Sequence, residues 1–294
     1  MFNKPPKGTP YNFAHPLANG LIGYWLFNEG GGTKSYDIST KQRHGTLNNF
    51  ALTGNTSNWA GSQMGGGLLF DGSNDFVNVS NANFPFVTAP FSVSAWVKPQ
   101  FANSNYNAIV SKGGTFESAS NFVLGIRGQP TTTDYRAYIF WKGGATLYGN
   151  EFSVPILGSQ TWMHIVGVVD SAWNSEVYVN GYSVGTDGSN SAATDGSQPL
   201  KIGSPNTIGT ELAYNGYVDE VRIYSRALNA SDVKLLYINP HADFLFDKHY
   251  INPTLYGLGA WGGRLTNAGG SGTLTAISAN KTIESYMVLG FKKQ

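Results

Sequence analysis

The sequence predicts an all-β fold in which two antiparallel sheets pack face to face as a sandwich or jelly roll. Short stretches of alternating apolar and polar residues recur, separated about every 8–12 residues by turns rich in Gly, Asn and Asp. The chain of 294 residues contains 37 glycines, 16 tyrosines and 17 phenylalanines, which suits strands and tight turns better than a helical bundle. Charged residues make up only 13% of the chain, about half of the share usual in globular proteins.

The elements follow from local patterns in chain order. Residues 1–19 hold four prolines and are predicted to form an extended arm. Residues 21–28 form the first predicted strand, with Glu29 on the same side as Trp25 and Phe27, and three glycines then end it. Further strands and hairpins are predicted at residues 44–47, 68–79, 91–98, 108–111, 122–126, 136–141, 162–170, 176–180 and 200–203. The Asn-Gly pair after residue 179 is the strongest of the hairpin signals.

The last predicted strand, residues 217–224, carries a carboxylate on the side that the alternation assigns to the core. Tyr217, Asp219, Val221 and Ile223 share that side, and the residues between them form a mixed, solvent-tolerant face. A buried carboxylate must be paired, densely hydrogen-bonded or bound to a metal, because burying it alone costs several kcal/mol. A short helix is predicted to follow, with Asn229 as its N-cap.

After this helix the pattern becomes irregular and rich in glycine. Residues 239–294 are predicted to be an extension with one β-hairpin, at about residues 273–277 and 283–291, that docks on the sandwich or on a neighbouring subunit. The predicted organisation is therefore an arm at residues 1–19, a jelly-roll domain at 20–238 and a C-terminal extension at 239–294.

Composition excludes several function classes. The net charge is +1 without a basic stripe, so binding to nucleic acid is not expected. The chain has no cysteine, which excludes disulfides and thiol chemistry. No apolar run approaches the ~20 residues of a membrane span, and the first residues lack the apolar core of a signal peptide. The five histidines are scattered without metal-ligand spacing, and no nucleophile elbow is present.

Six segments together resemble the laminin-G-like, concanavalin A-like lectin/glucanase jelly-roll family. They are residues 23–30 (GYWLFNEG), 69–77 (LFDGSNDFV), 91–98 (FSVSAWVK), 162–166 (WMHIV), 177–181 (VYVNG) and 218–224 (VDEVRIY), and they arrive in the order of the family. The resemblance covers about residues 20–238 and implies two facing antiparallel sheets with a binding or adhesion role. The opening, from residues 4–8 (KPPKG) through residues 15–21 (HPLANGL), also resembles that of members encoded by tailed bacteriophages.

The resemblance implies a structural calcium ion that ties the first strand to the last. The matching oxygen-bearing residues are Asn28, Glu29, Asp37 and Asp219, and Asp71 with Asp75 form a second candidate cluster. Calcium takes six to eight oxygen ligands, largely carboxylates and backbone carbonyls. Two acids near each other repel unless a cation lies between them. The alternative is that Asp219 accepts backbone hydrogen bonds and that Asp71 and Asp75 shape a turn.

Glycosidases of this fold carry a Glu-x-Asp-x-Glu triplet, and none occurs in the sequence. Asp219 and Glu220 are adjacent, so strand alternation directs them to opposite faces. The prediction is therefore that the chain is not an enzyme.

Carbohydrate binding needs an aromatic surface with a few polar groups around it. The candidate residues are Trp173, at a predicted hairpin tip without a core to join, and Tyr138, Phe140 and Trp141, which occupy both faces of one strand. Tyr106, Tyr135 and Tyr148 are weaker candidates, predicted to lie in loops. Each of these aromatic residues has a simpler interpretation as a packing or subunit-contact residue.

The predicted function is a non-catalytic binding or adhesion module on a bacteriophage virion surface, where a displayed jelly roll binds a glycan or cell-surface polysaccharide. Its protein partners are then other virion proteins or further copies of the chain. A stand-alone lectin-like protein at the cell surface is the alternative, and a glycan-cleaving enzyme of the same fold is the third reading.

Overall fold

The computed structural model describes residues 4–6, 8–52, 58–60, 65–80, 84, 88–100, 105–113, 120–128, 135–143, 146–154, 161–188, 191–193, 199–204 and 213–245. The chain separates into two units, Met1–Phe246 and Asp247–Gln294. The hairpin predicted at residues 273–291 lies outside the described residues, as does the rest of the second unit.

Within the described residues the chain forms sixteen strands, one α-helix and one short 3-10 helix, Pro16–Ala18. The strands and the helix are β1 Leu21–Trp25, β2 Lys34–Ser35, β3 Gly45–Asn48, β4 Trp59–Ala60, β5 Gly67–Asp71, β6 Phe76–Val79, β7 Phe91–Pro99, β8 Tyr106–Gly113, β9 Ser120–Gly128, β10 Tyr135–Gly143, β11 Thr146–Val154, β12 Met163–Val169, β13 Ser175–Val179, β14 Tyr182–Asp187, β15 Leu200–Ile202, β16 Asn215–Tyr224 and α1 Ala230–Ile238. The helix is not long or apolar enough to cross a bilayer, and the same holds for every helix of the described chain.

The strands form two eight-stranded antiparallel sheets, which confirms the predicted fold class. The first sheet has the order β14-β13-β12-β7-β16-β5-β4, with β1 paired to β16. The second has the order β11-β10-β9-β8-β15-β6-β3-β2. The first strand therefore pairs with the last one, as the sequence predicts for the seam of the sandwich.

The main core lies between the two sheets and follows the strand alternation. In β7, Phe91, Val93, Ala95 and Val97 all join this core, together with residues of β10 and β16. The intervening Ser92, Ser94 and Trp96 are buried too. The first sheet is therefore covered on both faces, whereas the sequence predicts a half-buried strand.

A second apolar cluster covers the outer face of the first sheet. It includes Leu17 of the arm, Tyr24 of β1, Tyr224 of β16 and Val233 and Leu236 of α1. The helix begins as predicted: the side chain of Asn229 accepts from the N–H of Asp232, and the Asp232 side chain accepts in return from the N–H of Asn229. The arm and α1 thus turn the outer face of the sheet into a second interior.

A β-bulge interrupts β16 and changes which side chains face the core. The register shifts between Asp219 and Arg222, and Glu220 inside the bulge has a φ of 50°. Val218 before the bulge and Val221 after it both join the inter-sheet core. Strict alternation would place these two valines on opposite faces, so the extra residue resets the pattern.

This bulge makes the predicted sidedness of the strand wrong. Asp219 does not share a face with Val221 and Ile223, because the inserted residue separates their registers. The opposite set is not solvent-tolerant either, since Glu220 and Arg222 are buried under the loop that follows α1.

The first strand is shorter than predicted, which also moves Glu29. β1 ends at Trp25, and Phe27 takes a left-handed conformation with a φ of 49°. Strand alternation therefore stops before Glu29, and this side chain is half-buried in the loop after β1 instead of facing the core between the sheets.

Candidate functional site

A pocket of about 330 Å³ lies between the N-terminal arm and the segment that follows β1. Its described lining residues are Pro5, Pro6, Gly8, Thr9, Tyr11, Leu26, Asn28, Glu29, Gly31, Tyr36, Ile38 and Phe244. This volume lies at the lower end of the range of small-ligand sites. Two residues selected from the sequence as metal ligands, Asn28 and Glu29, are part of this wall.

The pocket combines exposed aromatic surface with polar groups. Tyr36 is 52% exposed and contacts the His44 ring edge-on at a centroid distance of 5.1 Å. The Oε1 atom of Glu29 accepts from the backbone N–H of Tyr36 at 2.7 Å, so this bond holds the carboxylate next to the Tyr36 backbone. The Asn28 side chain lies 3.5 Å from the carbonyl oxygen of Pro5. An aromatic face next to carboxylate and amide oxygens suits a ligand with apolar ring faces and hydroxyl groups.

One wall of the pocket belongs to the arm, and Lys4 holds it in place. The Nζ atom of Lys4 lies 2.5 Å from the Oδ1 atom of Asp219, with side chains 6% and 0% exposed. The same ammonium donates to the carbonyl oxygen of Phe27 at 3.0 Å and to that of Gly66 at 2.6 Å. The three N–H groups of the ammonium thus match three oxygen acceptors.

The arm is also fixed at its other end. The hydroxyl of Tyr11 donates to the Oδ2 atom of Asp243 at 2.8 Å, and the N–H of Asn12 donates to the Asp243 carbonyl at 2.7 Å. Leu245 donates its N–H to the carbonyl of Pro10 at 2.8 Å. The pocket wall therefore spans two anchored points of the arm.

Behind this wall lies a buried network centred on Arg222. Its guanidinium donates to Asp243 at 2.7 Å and to the hydroxyl of Tyr24 at 2.7 Å, and also to the Pro240 carbonyl. The guanidinium stacks over the ring of Tyr24 at 3.9 Å. The Tyr24 hydroxyl in turn donates to Glu220. Each member is buried, so the network joins β1, β16 and the loop after α1 without contact with water.

The electrostatics of this network favour its charged form. Burial by itself raises the pKa of Glu220, but the charge and hydrogen bond of His241 and the charge of Arg222 bring it below its ordinary value. The Nε2 atom of His241 lies 2.9 Å from Glu220. The pKa of Arg222 is well above its ordinary value, because Asp243 and the surrounding groups outweigh the effect of burial. Paired in this way, the buried charges avoid the cost of isolated ones.

The structure does not bring the four predicted calcium ligands together. Both carboxylate oxygens of Asp37 are already hydrogen-bonded. They accept from the N–H of Tyr24 in β1 at 2.8 Å and, within the loop of Asp37, from the N–H groups of Ser39 and Arg43 at 2.8 and 2.7 Å and from the Ser39 hydroxyl at 2.9 Å. Among the described residues, no group of three or more His, Asp or Glu side chains is placed to hold a metal. Calcium binding at these positions stays a prediction.

The Asp71 and Asp75 carboxylates act within a turn. Asp71 accepts from the N–H groups of Ser73 and Asn74 at 2.7 and 3.2 Å. Asp75 accepts from the N–H of Asp71 and from the side chain of Asn58, both at 3.1 Å. Burial, reinforced by the charge of Asp71, raises the pKa of Asp75 to about 6. These contacts match the turn-shaping alternative.

The predicted aromatic ligand residues are mostly packing residues. Trp141 joins the inter-sheet core, and Tyr138 and Phe140 form a cluster on the outer face of the second sheet. All three are buried. Trp173 packs against the core at centroid distances of 5.9 Å from Trp141 and 6.4 Å from Phe91. The expectation that Trp173 has no core to join is therefore wrong.

The three weaker candidates lie in strands, contrary to their predicted positions in loops. Tyr106 begins β8, Tyr135 begins β10, and Tyr148 lies in β11. Tyr106 packs on the outer-face cluster, where the guanidinium of Arg127 lies 4.7 Å above its ring. Glu151 pairs with Arg127 and Arg136 at 3.0 and 2.8 Å beside it. The ring of Tyr106 is therefore covered by an ion-paired group of Arg127, Glu151 and Arg136.

Sequence reasoning missed the residues that build the pocket, above all Lys4, Tyr11 and Tyr36. The only local signal is the arm composition, in which a lysine precedes Pro5 and Pro6. Neither strand periodicity nor a motif links Lys4 to Asp219, because the two lie at opposite ends of the domain sequence.

A family model described as "Concanavalin A-like lectin/glucanases superfamily" matches residues 71–234, more than half of the chain. The chain belongs to this family. This confirms the resemblance drawn from the six sequence segments. A comparison with curated protein sequences gave no significant match.

Solved structures with the same fold include both binding domains and parts of enzymes. Domain 4 of AbnA, an extracellular arabinanase of family GH43 from Geobacillus stearothermophilus in complex with arabinotriose, matches with a TM-score of 0.55 and 18% identity, over 74% of this chain and 98% of that domain. The binding domain of Paraclostridial Mosquitocidal Protein 1 matches with a TM-score of 0.56 and 14% identity, over 75% of this chain and 52% of the other.

A sialidase from Trypanosoma rangeli, in complex with sialic acid, matches with a TM-score of 0.50 and 17% identity, over 75% of this chain. The match covers only 33% of the sialidase chain. At these identities the similarity shows the common sandwich fold and no more.

Proposed function

We propose that the chain is a non-catalytic carbohydrate-binding module and that the pocket beside the arm is its ligand site. The observation that carries the proposal is that the exposed Tyr36 and the carboxylate of Glu29, which accepts from the Tyr36 backbone N–H, both line this pocket. A sugar presents an apolar ring face and a rim of hydroxyl groups, which matches an aromatic surface with acceptors at its edge. The lectin/glucanase family and the arabinotriose in the similar AbnA domain support this ligand class.

The composition of the pocket supports binding over hydrolysis. Among its described lining residues Glu29 is the single carboxylate, whereas glycosidases flank the scissile bond with two. The absence of a Glu-x-Asp-x-Glu triplet from the sequence points the same way. A chain that released reducing ends from a bound glycan would favour the enzyme alternative.

The test is a glycan array followed by titration calorimetry, with arabinotriose and the best array ligand as probes. Tyr36→Ala removes the exposed aromatic ring of the lining, and Glu29→Gln removes the charge while keeping an oxygen that accepts from the Tyr36 N–H. We expect Tyr36→Ala to weaken binding by about tenfold or more, because losing the contact of an aromatic side chain costs roughly 1.5–3 kcal/mol.

Tyr182→Ala is the matched control, since Tyr182 is 66% exposed and does not line the pocket. It should bind like the wild type. An array without a single ligand, or equal binding by the Tyr36 and Tyr182 variants, would refute the assignment of the site.

We further propose that this module is displayed on a bacteriophage virion, where a glycan on the host surface is its ligand and virion proteins or further copies of the chain are its neighbours. The phage-like opening and the glycine-rich extension after residue 239 support this setting. The described part of the arm and residues 239–245 are anchored on the domain, so we assign the attachment to the segment after residue 246. Antibody labelling of purified particles would test it, and a chain found only free or at a bacterial cell surface would favour the stand-alone lectin.

A further inference from the structure

The fold family implies a cation at the seam of the first and last strands, and the residues at this seam do not fit calcium. Calcium needs six to eight oxygens. Here three oxygens, from Asp219, Phe27 and Gly66, converge on the Nζ atom of Lys4 at 2.5–3.0 Å. A carboxylate with two backbone carbonyls is the kind of donor set that calcium takes, but an ammonium group stands at its centre.

We propose that Lys4 replaces the structural cation of this seam, so that the arm's own ammonium neutralises Asp219 and positions the arm wall of the ligand pocket. The backbone geometry agrees with this role, since the carbonyl that Phe27 presents belongs to a residue in the left-handed region, with a φ of 49°. Of the four metal ligands that the family resemblance implies, Asp219 therefore marks a cation position that a side chain fills.

Lys4 is a positioning residue for the pocket, because the arm segment that forms one wall begins at the next residue. Pro5, Pro6, Gly8 and Thr9 follow it directly and line the pocket. The opposite end of this segment is held separately at Tyr11. Release of Lys4 frees one end of the wall while the other stays attached. This part of the inference rests on the proposed function, whereas the replacement of the cation does not.

The first test measures thermal unfolding of the full chain with chelator and with added calcium. We expect the wild-type midpoint to be the same in both, and Lys4→Met to lower it by several degrees because Asp219 then lies buried without its partner. Lys34→Met is the control, since Lys34 is exposed and its ammonium donates a hydrogen bond to the Thr46 hydroxyl at the surface. The double variant Lys4→Met/Asp219→Asn should recover part of the loss, because both charges are gone.

The second test follows hydrogen exchange of three backbone amides, those of Thr9, Asn12 and Leu245. The Thr9 N–H donates to the Pro6 carbonyl within the arm wall at 3.0 Å, whereas the N–H groups of Asn12 and Leu245 are hydrogen-bonded across the second anchor. We expect faster exchange at Thr9 in Lys4→Met, with slow exchange kept at Asn12 and Leu245.

A wild-type midpoint that falls on chelation, calcium binding to the wild type in calorimetry, or a Lys4→Met midpoint equal to that of Lys34→Met would each overturn the inference. Binding of the array ligand separates the two proposals. If no glycan binds but the stability and exchange results hold, the ligand site fails and the role of Lys4 at the seam stands.

Discussion

Replacing Arg222 by methionine tests whether the buried network stabilises the seam of the sandwich. Methionine has a similar length and leaves little empty space, so the main loss is the charge that pairs with Asp243 at 2.7 Å and faces Glu220 at 3.6 Å. Removing one partner of a buried ion pair costs about 3–5 kcal/mol. For a domain of this size each kcal/mol lowers the melting temperature by about 2–4 °C. The expected decrease is therefore about 6–20 °C at neutral pH.

The assay is thermal unfolding followed by circular dichroism, with urea unfolding to check that the m-value is unchanged. Arg136→Met is the matched control, because the Arg136 side chain is 39% exposed where it pairs with Glu151. An exposed pair contributes about 0–1 kcal/mol. Adding Asp243→Asn to the Arg222 variant should restore part of the stability. The reasoning is refuted if the Arg222 and Arg136 variants melt at the same temperature.

Two further substitutions probe close packing and buried ionisation. Gly125→Ala should lower the free energy of unfolding by about 1–3 kcal/mol, because the added Cβ would clash with the Tyr138 hydroxyl. Gly31→Ala serves as the control, since a Cβ at this position would have no atom within 4 Å. Equal melting temperatures of the two variants would contradict this prediction. Burial and the charge of Arg222 lower the pKa of His164 to about 3. In the unfolded chain the His164 imidazole takes up a proton near pH 6.5, whereas in the folded chain it stays neutral until the pH approaches 3. The free energy of unfolding is therefore fully retained above pH 6.5 and falls as the pH decreases from 6.5 toward 3. His164→Gln should reduce this loss between pH 7 and 5, and an unchanged acid dependence of the melting temperature would count against it.

Much of the sandwich could be predicted because strand patterns are local. The residues of β7 that face the inter-sheet core and the capping pair Asn229 and Asp232 are readable from neighbouring residues, and both are confirmed. The bulge at Glu220 could not be predicted, because a single inserted residue has no compositional signal and is detected only through the register with β7. The sidedness of Asp219 was wrong for that reason.

The candidate site was only partly predictable. Asn28, Glu29 and Asp219 were selected from the sequence, and the structure places the first two in the pocket wall and the third beneath it. Trp173 was selected because a hairpin tip was expected to offer it no core, and Trp141 because aromatic residues occupy both faces of its strand. The pattern of the sequence cannot distinguish a ring that packs from a ring that binds.

The sequence by itself determined the class of the fold, its antiparallel sheets and the presence in the last strand of a carboxylate that needs a partner when buried, because these properties depend on residues that are close along the chain. Only the tertiary structure decided what neutralises that carboxylate. Lys4 reaches Asp219 because the arm folds back across the seam where β1 pairs with β16. That contact joins distant parts of the chain. Burial of Asp219 requires a partner for its carboxylate, but nothing in the sequence identifies Lys4 as that partner.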